Sequence, residues 1–98
     1  MIRIAVDAMG GDNAPGAVVE GCIQALNERN DISVILAGQR DKIEPLLLNA
    51  GDARSRIEIL DAPDVITMHE APVMAVRRKP NSSMVKAMDA VKNGDAQA

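Results

Sequence analysis

The sequence of 98 residues contains no phenylalanine, tyrosine or tryptophan, and it has one cysteine and one histidine. Proteins that read single-stranded nucleic acids stack the bases on aromatic side chains. The net charge of −3 also has the wrong sign for neutralising a phosphate backbone. A single cysteine excludes an internal disulfide and a thiolate zinc cage. The sequence therefore argues against a nucleic-acid partner and against a fold stabilised by disulfides.

Long apolar runs are missing as well. No stretch approaches the roughly 20 apolar residues that cross a bilayer. The start is unlike a signal peptide, because Met1-Ile2-Arg3 leads directly into a short apolar run. A content of 47% hydrophobic and 26% charged residues is typical of globular proteins. We therefore expect a single soluble domain from a reducing compartment, with an aliphatic core filled in part by the six methionines.

Three short runs rich in β-branched residues, at positions 2–8, 32–37 and 57–60, predict strands. Residues 15–29 carry the apolar stripe of a helix that lies on a sheet, formed by Val18, Val19, Cys22, Ile23 and Leu26. Strands that alternate with helices over short links form right-handed crossovers. The predicted fold is thus a three-layer α/β/α arrangement with a parallel sheet, in which the first run is a buried strand.

A second helical pattern begins near Asp41 and Glu44, which form an acidic analogue of a capping box. Its apolar positions at helical spacing are Ile43, Leu46, Leu47 and Ala50. We expect this helix to stop at Gly51 and to tolerate Pro45 only in its first turn.

A last helix is predicted from Ser82 or Ser83 to Asn93, with Gly94 as its C-cap. The residues expected to face inward are Met84, Val85, Met88 and Val91. A shorter helix is expected around residues 72–78, and residues 95–98 resemble the approach to a further strand.

Ligands of parallel sheets bind beyond the carboxyl ends of the strands, which directs attention to residues 7–15, 38–41 and 61–70. The first of these segments has paired glycines, which permit close approach of the backbone, and it precedes a helix N-terminus that attracts anions. We predict a ligand-binding loop there, formed by Asp7, Gly10, Gly11, Asp12 and Asn13. The alternative is a tight turn in which Asp12 or Asn13 caps the helix. The glycine spacing does not match the dinucleotide-binding pattern.

A second candidate site combines the cations Arg77, Arg78 and Lys79 with the hydroxyls of Ser82 and Ser83 at a helix start. Cations, hydroxyls and unpaired backbone N–H groups all favour an anion, so the segment predicts binding of phosphate, a carboxylate or an acidic partner. The alternative is a serine N-cap beside a solvated run of charges.

Two weaker patterns are interpreted without a function. His69 and Glu70 follow Asp61 and Asp64, but a single histidine without regular ligand spacing favours a surface loop over a metal site. Cys22 lies on the apolar stripe of the first helix, where a thiol behaves as a small hydrophobic group.

The segment from Ile4 to Pro15, which reads IAVDAMGGDNAP, resembles the opening of the bacterial phosphate acyltransferases of phospholipid synthesis, the PlsX family. The resemblance covers essentially the whole chain. It continues through later blocks in the same order, at Val65-Ile66, Met68, Glu70, Pro72, Ala75, Arg77, Lys79, Ser82-Ser83-Met84, Val91-Lys92 and Gly94.

This resemblance implies a fold like that of the isocitrate and isopropylmalate dehydrogenases, and an enzyme that needs no cofactor. Such enzymes reversibly transfer a fatty acyl group from acyl carrier protein to inorganic phosphate, giving an acyl phosphate. They are cytoplasmic homodimers that associate at most peripherally with membranes. By analogy, the loop from Asp7 to Asn13 would line the cleft, and Lys79, Ser82 and Ser83 would hold phosphate. Arg77 and Arg78 would contact the acidic carrier protein.

The family pattern continues beyond Ala98 with a strand and a Ser-Ala-Gly-Asn-Thr-Gly loop. We therefore expect residues 1–98 to be the single N-terminal α/β segment of a longer acyltransferase, inactive without the remainder. Two other functions remain open at this point. One is a non-catalytic binding or assembly module with an unpaired sheet edge, and the other is a nucleotide-binding half-domain, which the glycine spacing disfavours.

Overall fold

The computed structural model describes residues 1–11, 13–64 and 80–98, and the strands of this part form one parallel sheet. The strands are β1 (Ile2–Asp7), β2 (Ile32–Gly38) and β3 (Ile57–Asp61), in the order β1-β2-β3. Their register pairs Ile2 with Ile32 and Val34 with Ile57. The predicted parallel pairing of three neighbouring strands is confirmed.

Burial differs between the central strand and its neighbour β1. Most of β2 is buried, whereas β1 is only partly buried and Ile2 is 48% exposed. The prediction that residues 2–8 form a buried strand is therefore wrong for β1. The physical reason is that, in the described part of the chain, β1 pairs with a strand on one side only. Along its other side, Gln97 N–H donates to the carbonyl of Arg3 at 2.8 Å, and Ala5 N–H donates to that of Ala98 at 2.7 Å.

Helices cover both faces of the sheet, which confirms the three-layer prediction. Helix α1 (Gly16–Glu28) packs on one face against the larger apolar cluster, which includes strand residues Ile4, Val6, Val34, Leu36, Ile57 and Ile59. The alternate strand residues Ala5, Ile35 and Leu60 point to the opposite face and pack near Ala90 and Ala96. Strand side chains alternate between faces with a period of two, so the two clusters follow directly from the sequence. The predicted stripe on α1 is confirmed, because all five of its residues contact this larger cluster.

The second helical segment differs from its prediction. It consists of a short helix α2 (Arg40–Ile43), a 3₁₀-helix η1 (Glu44–Leu47) and a second 3₁₀-helix η2 (Gly51–Arg56). Pro45 explains the change, because proline has no N–H to continue an α-helix and occupies the first turn of η1 instead. The N-cap of α2 is Gln39 without a side-chain cap, so the expected capping role of Asp41 and Glu44 is wrong.

Gly51 also acts differently from the prediction. It adopts a φ of +62° and begins η2, rather than ending one long helix. This conformation is in the left-handed region, which glycine enters without strain.

The last helix, α3 (Ser83–Lys92), begins where the sequence predicts, but its inward face is different. Met88 is 51% exposed and Val91 is 41% exposed, so the prediction that both face inward is wrong. The helix contacts β1 and β2 through its small residue Ala90, which is 4% exposed. The longer side chains of Met88 and Val91, on either side of Ala90, remain exposed.

The end of α1 is held by the guanidinium of Arg56, at the end of η2. Arg56 Nη1 donates to the carbonyl oxygens of Arg29 and Ile32 at 2.7 and 3.1 Å, and Nη2 donates to the carbonyl oxygen of Leu26. The last carbonyls of a helix lack partners within the helix, and cations interact favourably with them. Arg56 thus ties the C-terminus of α1 to the beginning of β2.

Candidate functional site

The carboxyl ends of the three strands lie side by side at one edge of the sheet. Asp7 is paired with Ala37, and Gly38 is paired with Asp61, so the chain leaves the strands at neighbouring positions. Parallel α/β proteins bind ligands at this edge. The structure therefore brings together the starts of the three segments that the sequence directs attention to.

The glycine loop, residues 7–15, joins β1 to α1, and its first turn is built on the carboxylate of Asp7. Asp7 Oδ1 accepts a hydrogen bond from the backbone N–H of Met9 at 3.0 Å. Gly11 has a φ of +92°, which favours glycine. A side chain at Gly10 would place its Cβ 3.3 Å from Asp7 Oδ2. Asp7 therefore shapes the loop with one carboxylate oxygen, and the glycines leave the backbone accessible.

The loop ends in the first turn of α1, whose N-cap is Pro15 and which has no side-chain cap there. The carbonyl of Asn13 accepts from Ala17 N–H at 3.0 Å, and the carbonyl of Pro15 accepts from Val19 N–H at 2.9 Å. Asn13 is exposed and supports the helix start through its backbone. The N-terminus of α1 thus points its dipole toward the carboxyl edge of the sheet.

The start of α3 is the second part of the site, and it is joined to the segment after β3. Asp64 N–H donates to the carbonyl of Asn81 at 3.2 Å, and Ser83 N–H donates to the carbonyl of Asp64 at 3.0 Å. Ser82 and Ser83 are 0% and 1% exposed, respectively. These bonds fix the two serines at the edge that the glycine loop also occupies.

Ser82 has the capping role that the sequence offers as an alternative. It is the N-cap of α3, and its Oγ accepts a hydrogen bond from Val85 N–H at 3.3 Å. The N–H groups of Ser83 and Val85 therefore already donate hydrogen bonds within the protein. The serine hydroxyls are the groups at this helix start that can donate to a ligand. A hydroxyl that accepts a capping bond retains its own proton for another acceptor.

An opening of about 360 Å³ lies at the ends of β2 and β3. It is lined by Gln39, Asp41, Lys42, Asp61 and Pro63. The side-chain amide of Gln39 donates to the carbonyl of Pro63 at 2.9 Å, and Asp61 Oδ1 accepts from Arg40 N–H at 3.3 Å. The pattern of the sequence marks residues 38–41 but does not single out Gln39, although its position directly after β2 is the signal that identifies it.

The structure also bears on the weaker candidates, in the part of the chain that it describes. Within residues 1–11, 13–64 and 80–98, no three acidic, histidine or cysteine side chains are grouped as a metal ion would require. Cys22 is partly buried against the core, and this burial raises the pKa of its thiol. A raised pKa lowers the thiolate fraction, so the structure agrees with a hydrophobic role.

Several predicted positions lie outside the described residues. They are Asp12 of the glycine loop, the short helix expected around residues 72–78, and the side chains His69, Glu70, Arg77, Arg78 and Lys79.

Among the helices of the described ranges, none combines the length and the apolar character needed to cross a membrane.

Comparison with known proteins identifies the family. The family model described as "Fatty acid synthesis protein" matches residues 2–98. The chain belongs to this family. The resemblance seen in the sequence is thereby confirmed.

Relatives within the fatty acid synthesis protein family carry the name phosphate acyltransferase. The protein from Clostridium acetobutylicum is 53% identical over 95 residues, which cover 97% of this chain and 29% of the relative. That from Lactiplantibacillus plantarum is 54% identical over 98 residues, which cover 100% of this chain and 27% of the relative. The chain thus spans less than a third of the length of these relatives.

Proposed function

We propose that this chain forms the amino-terminal α/β segment of a phosphate acyltransferase in lipid synthesis. The enzyme transfers a fatty acyl group from acyl carrier protein to inorganic phosphate and yields an acyl phosphate. The observation that carries the proposal is the family match over residues 2–98, to relatives that bear this name at more than half identity. The geometry supports it, because the glycine loop and the serines of α3 both lie at the ligand-binding edge of the sheet.

The reaction needs positioning and charge stabilisation more than a chemical group from the protein. A phosphate oxygen attacks the thioester carbonyl carbon, a carbon–oxygen bond forms, and the carbon–sulfur bond then breaks. The electron pair of the broken bond leaves with the sulfur of the carrier, which takes up a proton. Atoms and charge balance without an oxidant or reductant, so no redox cofactor is required. Fixed donors aimed at the phosphate and at the developing oxyanion lower the barrier.

The residues at the carboxyl edge supply donors of this kind. In this proposal the backbone of Gly10 and Gly11 and the N-terminus of α1 supply donors beyond the end of β1. Ser82 and Ser83, which are buried and fixed by the pairing with Asp64, supply hydroxyl donors beyond the end of β3. In this proposal Lys79 adds a charge-assisted hydrogen bond to phosphate. In this proposal Asp7, Asp12 and Asn13 belong to the loop that lines the cleft and binds the substrate.

Recognition of the carrier is assigned to the cations upstream of α3. Arg77 and Arg78 would attract the acidic surface of acyl carrier protein, since complementary charge raises the rate of encounter. In line with the family, we propose that the enzyme acts in the cytoplasm as a homodimer and contacts membranes at most peripherally.

The test is identification of the product. A full-length phosphate acyltransferase whose first 98 residues are those of this chain is incubated with acyl carrier protein carrying a fatty acyl group and with labelled phosphate. We expect labelled acyl phosphate together with stoichiometric free carrier thiol, and treatment with hydroxylamine should convert the acyl group to a hydroxamate and release the labelled phosphate. The 98-residue chain alone is the matched control and should form none. Release of free fatty acid without labelled acyl phosphate would contradict the proposal.

A further inference from the structure

A groove of about 450 Å³ runs between α1 and η1, on the face of the sheet opposite α3. Its lining comes from residues of both elements and of the turn that follows η1, namely Gly16, Val19, Glu20, Ile23, Leu46 and Asn49. Its volume falls in the range of small-molecule sites, which is roughly 300–1,000 Å³.

The floor of the groove is aliphatic. Gly16, Val19 and Ile23 are separated by three and four positions, so they lie on one face of α1. Leu46 faces them from η1 and remains 40% exposed, although its neighbour Leu47 is buried. Leu46 therefore gives the groove an aliphatic wall opposite the apolar positions of α1. Glu20 and Asn49 supply the polar part of the lining.

One end of the groove meets the candidate site. Gly16 lines the groove, and it is also the first residue of α1, directly after the glycine loop. A ligand seated here would have its head at the glycine loop and its body along α1. An acyl phosphate has this form, with a dianionic head joined to a hydrocarbon tail.

We propose that the groove between α1 and η1 holds the fatty acyl chain of the substrate while its reacting end lies at the glycine loop. This inference rests on the proposed function and adds the place where chain length is read. Each methylene group that leaves water strengthens binding by roughly fourfold. A groove lined by Val19, Ile23 and Leu46 therefore favours long acyl groups over short ones.

The experiment uses the full-length acyltransferase that carries these 98 residues. It measures kcat/KM for carrier protein loaded with a palmitoyl or a butyryl group. Leu46→Gln should lower kcat/KM for the palmitoyl substrate by about tenfold and leave that for the butyryl substrate within about twofold. Leu46→Met should restore the preference for the long chain. Leu48→Gln is the matched control, because Leu48 is 83% exposed and does not line the groove.

Each outcome separates the inference from the function on which it rests. An unchanged ratio of palmitoyl to butyryl activity in Leu46→Gln would overturn the groove assignment while acyl phosphate formation stands. An equal loss for both substrates, with a lower melting temperature or a changed oligomeric state, would show that protein covers the groove, and would also overturn it. A parent enzyme that forms no acyl phosphate from either substrate would overturn the proposed function and the groove assignment together.

Discussion

Arg56 offers a sharp test of how the segment is held together. Its guanidinium donates to three backbone carbonyls, those of Leu26, Arg29 and Ile32, which join the end of α1 to the start of β2. Replacing Arg56 with alanine removes all these donors at once. The carbonyls at the end of α1 then lose partners that the helix itself does not supply.

The expected cost follows from these contacts. A hydrogen bond to a charged group contributes about 1.5–3 kcal/mol, and a cation at a helix C-terminus adds about 0.3–1 kcal/mol. Arg56 is partly exposed, so water replaces part of what is lost. We therefore expect Arg56→Ala to lower the free energy of unfolding by about 2–4 kcal/mol, or the melting temperature by roughly 10–30 °C in a domain of this size.

The assay is urea unfolding of the 98-residue chain, followed by circular dichroism. Arg54→Ala is the matched control, because Arg54 is exposed and its guanidinium donates to the carbonyl of Ile57 at 2.7 Å. That change should cost about 1 kcal/mol or less. If Arg56→Ala costs no more than Arg54→Ala, the account of the α1 terminus is refuted.

Three further predictions concern packing and titration. Gly38→Ala would place a Cβ 2.8 Å from Ile43 Cδ1 and 3.1 Å from Met9 Sδ. Overpacking should therefore lower the free energy of unfolding, measured by urea titration, by about 1–3 kcal/mol. An unchanged free energy of unfolding would contradict the close contact of Gly38 with these two side chains. Burial raises the pKa of Cys22, so its alkylation by iodoacetamide should be slow and still accelerating at about pH 9; a rate that is already maximal at neutral pH would contradict this. The hydrogen bond and the charge of Arg29 lower the pKa of Asp31. The pair therefore stabilises the fold at any pH above the ordinary carboxyl pKa. This contribution is lost as the pH falls through the lowered pKa of Asp31. Asp31→Asn should therefore reduce the change in urea midpoint between about pH 6 and pH 3, and an unaltered pH profile would contradict it.

Much of the fold is predictable from local pattern. The β-branched runs and the stripe on α1 predict the parallel sheet, because strand and helix periodicities leave few ways to bury both apolar sets. The boundaries move by a residue or so, as when β2 extends to Gly38 and β3 to Asp61. The start of α3 at Ser82 is also predictable, since a serine N-cap is a local signal.

The failures have two sources, the local effect of a proline and tertiary contacts that outweigh local pattern. The spacing of apolar residues around Pro45 favours one helix, but the missing N–H breaks it into α2 and η1. Met88 and Val91 have the spacing of core residues, yet α3 approaches the sheet through Ala90. The three carbonyl contacts of Arg56 join residues far apart in sequence, so no local signal predicts them.

The candidate site, like the fold, is only partly predictable from the sequence. Its place at the carboxyl edge follows from the topology of a parallel sheet, and the glycines of the loop are visible in the sequence. The sequence does not reveal that Asp7 shapes the loop through Met9 N–H, or that Asp64 anchors Ser83. Both contacts depend on where the backbone turns after the strand.

The most direct test of the proposed function is the Michaelis constant for phosphate, measured in a full-length phosphate acyltransferase whose first 98 residues are those of this chain. If the proposed site is right, Lys79→Ala and Ser83→Ala should each raise it by roughly five- to a hundredfold, since each would remove a proposed donor to phosphate that contributes about 1–3 kcal/mol. The Michaelis constant for the acyl carrier protein should change little, and Ser55→Ala, an exposed serine whose hydroxyl donates to the carbonyl of Asp52, should change neither constant. Melting temperatures measured in parallel separate phosphate binding from capping, because Ser82→Ala also removes an N-cap and should cost about 1 kcal/mol of stability. If Lys79→Ala, Ser82→Ala and Ser83→Ala all keep the parent's dependence on phosphate and the serine changes lower only the melting temperature, the site at the start of α3 does not hold phosphate.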